Sequence, residues 1–316
     1  IKTYGLRRLL SKFFVLIKIL ASIPIYVMAI VPCMIIRLIS PWFIVRIQRV
    51  AAGNFGDFVW MTAMYYCKKK LKIDLPTKKY IDLVYIHYND RVYNKQIAKM
   101  WKRKLNFISG YLLDPINRIN KFIPGWKNHI IESLCIQERD INNLFEKYQA
   151  LDFTTDEEIY GKKMLNKFGL KDEDKFVCLA VRDEAYQLKK ISARHRDWSY
   201  HDFRHTNINK FVLAAEELTK RGYYVFRMGV VVEKPFNSSN PKIIDDANSN
   251  LRTDFMDIYL GAKCSFCIST GTGYQDLPCL FRKPMVMMEN TFGTIYTHNE
   301  KYLLMTKHHI LKKEKR

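Results

Sequence analysis

Apolar residues along this chain fall into short blocks, and the spacing inside each block sets the element it predicts. Residues 43–50 (FIVRIQRV) read as a strand. A glycine-bearing loop, Gly53-Asn54-Phe55-Gly56, follows; apolar residues then keep helical spacing over 58–71, with Asp57 at the helix start. Residues 81–87 predict a second strand, 93–104 a basic helix and 105–109 a short third strand. Segment 111–131 carries Pro115, Pro124 and Gly125, shows no clear period and predicts no element. The polar stretch 140–156 carries a domain boundary. Beyond it Thr155 and Glu158 make a capping-box pattern for a helix running to Phe168, with Gly169 as its stop. The alternation is then regular: strand 176–181, a helix capped by Asn207 and stopped by Gly222, strands 223–228 and 242–244, helix 254–262, strand 264–269, helix 273–281 and strand 285–288. Repeated strand–helix–strand units at short spacing predict a parallel, doubly wound sheet. The fold class is therefore α/β, with one domain over 42–150 and a second over 151–316, preceded by an apolar segment over 1–41. Residues 302–316 have no partner element after them, and an open sheet of this type needs a closing helix. With Ile1 rather than Met at its front, the chain reads as a piece of a longer protein.

The apolar segment changes the picture first. Residues 19–36 (ILASIPIYVMAIVPCMII) are uncharged and sit at the length limit for a membrane span. Pro24 and Pro32 interrupt them, which predicts a kinked or broken helix. Basic residues flank both ends, Arg7, Arg8, Lys12 and Lys18 before and Arg37, Arg46 and Arg49 after. A simple span concentrates its positive charge on one side, so the pattern predicts a segment that lies in the cytoplasmic leaflet or enters and leaves it. A buried core helix is the alternative. The formal charge of +21 calls for an acidic partner: anionic lipid, nucleic acid or a phosphorylated substrate. Lysines 68, 69, 70, 72, 78 and 79, with Lys99, Lys102, Arg103 and Lys104, form either a bilayer-facing cluster or a solvated helix face. The seven cysteines sit mostly inside apolar runs, as buried free thiols of a reducing compartment do.

Candidate chemistry lies where strands end, because a doubly wound sheet binds its ligands beyond the carboxyl ends of its strands. Arg182 and Asp183 follow the strand at 176–181; the arginine is placed to pair with a phosphate and the aspartate to hold it, or the two form a local ion pair. The loop 186–206 interleaves aromatic and basic residues, among them Arg194, His195, Arg196, Trp198, His201, Arg204 and His205, suiting a nucleotide, a sugar or single-stranded RNA. Its histidines keep no ligand spacing with cysteines or paired carboxylates, so no metal is expected. Ser269-Thr270-Gly271-Thr272-Gly273 leads from a strand into a helix and can cradle a diphosphate with backbone N–H groups, or serve as a plain turn. Asp276 lies in the first turn beyond it, and Glu289 follows the last predicted strand, where a carboxylate can take a sugar or ribose hydroxyl. The Gly53–Gly56 loop with Asp57 is an anion site or a way to aim a carboxylate into a cleft, or a tight turn with Asp57 as cap. Cys264 and Cys267 lie three apart on one strand and point to opposite faces, which predicts structural thiols. Asp172-Glu173-Asp174 reads as a solvated turn.

Four segments, RDEAY at 182–186, DWSYHDFRHTNINKF at 197–211, RGYYVFRMG at 221–229 and STGTGYQDLPCLFRKPMV at 269–286, resemble an uncharacterised family of bacterial proteins read as glycosyltransferases. The resemblance implies the GT-B architecture, two Rossmann-like domains with the nucleotide-sugar donor held mainly by the C-terminal one, and neither metal nor cofactor. Arg182 also resembles the phosphate-binding arginine of the His-x-Arg strand end in GDP-fucose transferases, although Ala180 replaces the histidine. GNFGDFVWMTA at 53–63 is similar to the Gly-Asp segment of bacterial heptosyltransferases, where the aspartate is general base toward the acceptor hydroxyl. By these matches Asp57 is the candidate base, with Gly53, Asn54 and Gly56 as an acceptor-side loop. The donor side comprises Arg182, Asp183, Arg204, Arg227, Thr270, Gly271, Thr272, Gly273, Asp276 and Glu289. The expected partners are a nucleotide-sugar donor, a lipid-linked or glycan acceptor and an anionic membrane surface, without nucleic acid, at the cytoplasmic membrane. A non-catalytic nucleic-acid-binding or scaffold protein tethered to a membrane is the competing expectation.

Overall fold

Every residue after Lys175 in the strand Lys175–Ala180 is buried, as a strand covered by helices on both faces requires. The structure, a computed structural model, describes residues 2–183, 185, 199–290 and 299–308. Its elements are α1 (Lys2–Ile39), β1 (Phe43–Arg49), α2 (Phe55–Leu71), β2 (Lys79–Tyr85), α3 (Lys95–Lys102), α4 (Gly110–Asn120), α5 (Leu144–Lys147), α6 (Thr155–Lys167), β3 (Lys175–Ala180), α7 (Val212–Lys220), β4 (Tyr223–Arg227), β5 (Ile243–Asp245), α8 (Asp254–Lys263), β6 (Phe266–Ser269), α9 (Asp276–Leu280), β7 (Met285–Asn290) and β8 (Tyr302–Thr306). They fall into two compact units. One holds Ile1–Ala51, Asp74–Asp90 and Lys104–Cys135; the other holds Ala52–Ile73, Arg91–Arg103 and Ile136–Arg316.

In the first unit β1 and β2 pair in parallel. Arg46 and Asp82 face each other in that ladder, and the buried guanidinium grips the carboxylate through Nε at 2.6 Å and Nη2 at 2.9 Å. The third strand expected at 105–109 reduces to one parallel bridge, Val84 to Phe107. Helix α4 occupies part of the stretch that predicted no element. Its core-facing stripe has helical spacing but is largely polar: Leu113 and Asp114, then Asn117 and Asn120. Tyr85 Oη donates to Asp114 Oδ1 at 3.1 Å, and Asn117 Nδ2 donates to Tyr85 Oη at 3.1 Å. Helix α1 runs on through Pro24 and Pro32 as one helix, so of the kinked or broken helix its sequence predicted the break does not occur. It meets α4 along one stripe, where Cys33 Sγ reaches Ile116 O at 3.3 Å and Arg37 Nη2 reaches Asn120 Oδ1 at 2.5 Å. Away from that stripe its apolar side chains are exposed, Met28 to 74%, Val31 to 62% and Leu38 to 73%. The side chains of α1 are described without a break only from Ile23 onward. Among the described residues no helix is long and apolar enough to cross a membrane.

The second unit is built on a six-stranded parallel sheet in the order β5-β4-β3-β6-β7-β8. Alternate residues of β3 feed two cores. Phe176 and Cys178 pack with Met256, Cys267 and Met285, whereas Val177 and Leu179 pack with Ile208, Phe211 and Ile268. Strand β8 extends the sheet beyond the last strand the sequence predicted, with Tyr302 paired beside Met285. The capping box of α6 is Thr154 with Glu157, one residue earlier than its pattern suggested. Burial opposes ionisation of Glu157, but Arg103, the Thr154 N–H and Gln96 outweigh it and hold the carboxyl down at about 2. Lys99 and Arg103, two members of the basic cluster, are thereby engaged on Glu157. Cys264 and Cys267 are buried and free.

Candidate functional site

The strand order of the second unit reverses between β3 and β6, and a crevice opens outside the carboxyl ends of the two strands at such a point. Ala180 and Ser269 are register partners at that edge. Both chains then turn outward and are stitched together: Thr270 N–H donates to Ala180 O at 3.1 Å, and Arg182 N–H donates to the buried Thr270 Oγ1 at 2.8 Å. Gly271 adopts a φ of +78°, a conformation that a side chain strains. A Cβ there would stand 3.2 Å from Asn290 Oδ1.

Two guanidiniums converge on this turn. Arg182 Nη1 and Arg204 Nη2 each lie 3.4 Å from Gly271 O. Burial, and then the like charge of Arg204, pull Arg182 down to about 10. Among the described residues neither arginine is ion-paired with a carboxylate, and Arg182 Nε, Thr272 Oγ1 and Asn290 Nδ2 are buried donors without a partner. Cations held together with unused donors make a site for an anion, since a bidentate oxyanion satisfies what the protein leaves open.

The rest of the predicted donor set divides. Asp183 accepts from Ala185 N–H at 3.1 Å and Glu233 N–H at 3.0 Å. Arg227 is 1% exposed, with its guanidinium engaged by Asp245 at 3.0 Å and Asp183 at 3.7 Å. It braces the ends of β4 and β5 rather than opening onto the crevice. Glu289 sits at the end of β7 with φ +52°, a strained backbone for a non-glycine residue. Its carboxylate accepts from the Thr206 hydroxyl and faces Lys210 at 3.7 Å and Lys307 at 3.6 Å. Thr206 N–H in turn donates to Arg182 O at 2.9 Å. A cavity of about 340 Å³ adjoins this bridge, lined by Asp183, Asp202, His205, Thr206, Asn207 and Glu233. Thr206 escaped the sequence reading; its one signal is its place at the end of the long loop, directly before the Asn207 cap. Residues 186–198 of that loop lie outside the described residues.

The N-terminal glycine loop belongs to this unit too. Asp57 stands in the first turn of α2, and Asn54 Nδ2 donates to its Oδ2 at 2.8 Å. A Cβ on Gly56 would lie 2.7 Å from Asp276 Oδ2 and 3.0 Å from Gly273 Cα, so the two glycine loops cross backbone against backbone. The Phe55 and Tyr274 rings stack beside the crossing, centroids 6.3 Å apart. Gly53, by contrast, has open space where a Cβ would go, so the crossing does not require it. Asp57, Gly56, Gly273 and Asp276 thus gather at one crossing, while Arg182, Arg204, Thr270 and Gly271 gather at the strand ends. Thr272 joins the two in sequence. Among the described residues no three His, Cys, Asp or Glu side chains group as a metal site.

No protein-family model and no curated protein matches the chain. Among solved structures it is similar to a glycosyl transferase family 9 protein from Veillonella parvula, with 11% identity and a TM-score of 0.48 over 83% of this chain and 86% of that one. It is also similar to the ADP-heptose lipopolysaccharide heptosyltransferase II of E. coli, with 12% identity and a TM-score of 0.45 over 82% of this chain and 90% of that one. A third is E. coli heptosyltransferase WaaC with ADP, with 11% identity and a TM-score of 0.39 over 83% and 93% of the two chains.

Proposed function

We propose that this chain is a glycosyltransferase of GT-B type that moves a sugar from a nucleotide-sugar donor to a lipid-linked or glycan acceptor in cell-surface glycan synthesis, on the cytoplasmic side of a membrane. The observation that carries the reading is the convergence of Arg182 and Arg204 on Gly271 O at the point where the strand order reverses. A leaving nucleoside diphosphate gains negative charge as its bond to the sugar breaks. Preorganised donors at that position stabilise the transition state more than the ground state. The two guanidiniums and the backbone N–H groups of 271–273 supply them, so no resident metal is needed for this task. Asp57 takes the proton of the acceptor hydroxyl as that oxygen bonds to the sugar carbon, which inverts the configuration. The exposed apolar side of α1 and the formal charge of +21 support an anionic membrane as the surface on which a lipid-linked acceptor is met.

Release of nucleoside diphosphate from a panel of nucleotide-sugars, with lipid-linked acceptors in anionic vesicles, tests the reading. Asp57→Asn is expected to lower kcat by about 100-fold or more, the scale of a lost general base. An Asp57→Asn variant with unchanged turnover removes Asp57 from the base role.

A further inference from the structure

Strand β7 does not end as a regular strand. Met287 pairs with Leu304 of β8 and Asn290 with Thr306, so three steps on β7 match two on its neighbour. That is a bulge of one extra residue, and Glu289 inside it takes φ +52°, a costly backbone for a non-glycine residue. The bulge breaks the alternation of the strand. Met285 and Met287 are buried in the core, Met288 and Glu289 are both half-buried, and the next buried position is Asn290. The Glu289 carboxylate, engaged by the Thr206 hydroxyl, Lys210 and Lys307, anchors the bulge. Lys307 N–H donates to Asn290 O at 2.9 Å and fixes the backbone beyond it. A bulge at a strand end re-aims a side chain, and the side chain re-aimed here is Asn290. It is 7% exposed. A Cβ on Gly271 would lie 3.2 Å from Asn290 Oδ1 and 3.9 Å from Arg204 Nη2, so the amide and the guanidinium flank the same glycine. Asn290 Nδ2 is buried and, among the described residues, donates to nothing. Folded proteins seldom leave a buried amide donor unused. With a guanidinium and a glycine turn beside it, the acceptor it lacks is an anion that enters from outside.

We propose that Asn290 is an uncharged member of the diphosphate cradle, donating through Nδ2 to a phosphoryl oxygen of the group that Arg182 and Arg204 bind. The assignment rests on the reading of the Gly271 turn as the donor cradle. The ligand class is a nucleoside diphosphate, recognised through its pyrophosphate. Asn290 does what the arginines do not. A guanidinium supplies charge and attracts an anion from many directions, whereas a fixed amide forms a good hydrogen bond only to an oxygen in one place. It therefore sets where the diphosphate sits in the cradle. As the bond from sugar to phosphate breaks, that oxygen gains charge and the hydrogen bond to it strengthens. The strained backbone at Glu289 then has a use, since a strand end without the bulge would not present the amide at this turn.

Two variants of the full chain test this, each measured for its affinity for inorganic pyrophosphate and for its ligand-free melting temperature. Asn290→Leu keeps the size of the side chain and removes the donor. Its affinity is expected to fall about tenfold or more, the scale of a lost hydrogen bond to a charged group. Its melting temperature is expected to be no lower than that of the wild type, because an unused buried donor is removed with it. Asn290→Asp keeps the shape and sets a negative charge where the donor stood, so its affinity is expected to fall further. Wild-type affinity in both variants, with affinity lost in Arg182→Ala, overturns the role of Asn290 and leaves the cradle standing. A melting temperature several degrees lower in both variants makes Asn290 a structural residue and overturns its assignment to the ligand. No pyrophosphate binding by the wild type overturns the cradle reading, and the assignment with it.

Discussion

Asp257 lies at 5% exposure with its Oδ2 2.5 Å from Arg252 Nη2, and Asp246, fully buried, shares the same arginine. Burial outweighs the attraction of Arg252 and pushes Asp257 up to about 7 and Asp246 up to about 6. Both folded values exceed the ordinary carboxyl value, so the stability they carry is complete at low pH and lost as pH rises through about 6 to 7. Asp257→Asn is expected to flatten part of the fall in melting temperature between pH 5 and 8; a variant with the wild-type slope contradicts this placement of the proton. Neither residue was singled out in the sequence, because burial of a carboxylate in a helix is a tertiary fact. Arg182, Thr270 and Gly271 were legible, since each stands one or two residues past a strand and strand ends line the crevice. Arg227, the last residue of β4, joined them through the resemblance of segment 221–229. What separates them is where each side chain finds a carboxylate: Arg227 meets Asp245 and Asp183, and Arg182 meets none among the described residues. That choice depends on residues distant in the sequence, Asp183 and Asp245 for Arg227, and leaves no local trace.

Most elements followed from spacing, and the misses have physical causes. Helix α4 presents asparagines and an aspartate to the core, so its period is invisible to a scan for apolar residues. The stretch 105–109 has strand composition but retains a single bridge. Strand β8 reads as a tail because four of its five residues are exposed, as at a sheet edge. Helix α1 was legible as apolar, and what lies against it was not. Its buried contacts use Ala29, Cys33 and Arg37, while Met28 and Val31 face outward. An amphipathic or wholly apolar helix on a bilayer surface gains about 1.5–3 kcal/mol for each large side chain it buries. The double substitution Met28→Glu, Val31→Glu is therefore expected to weaken binding to anionic vesicles at least about tenfold, with the far-ultraviolet spectrum unchanged. Vesicle binding equal to wild type contradicts a membrane role for this face.

Across the molecule, the order β5-β4-β3-β6-β7-β8 makes the separate residue-level observations converge. It sets β3 beside β6, and so brings the guanidinium of Arg182 to a glycine turn at residue 271. Pairing of distant strands was legible only as a class, parallel and doubly wound; the neighbour relations that make the site were not. The crossing of Gly56 and Gly273 sets Asp276 against the first turn of α2 within the same unit. The central claim is that the strand-order reversal forms a diphosphate cradle held by Arg182 and Arg204. A thermal-shift titration of the purified protein with ADP, UDP, GDP and CDP addresses it most directly. A ligand bound only by the folded state, at 100 times its Kd, adds about 2.7 kcal/mol of stability, which is several degrees for a protein of this size. The account predicts that at least one of these nucleotides raises the melting temperature by several degrees, and that Arg182→Ala and Arg204→Ala each abolish the rise. No rise with any of them at millimolar concentration, or an equal rise in Arg182→Ala, contradicts it.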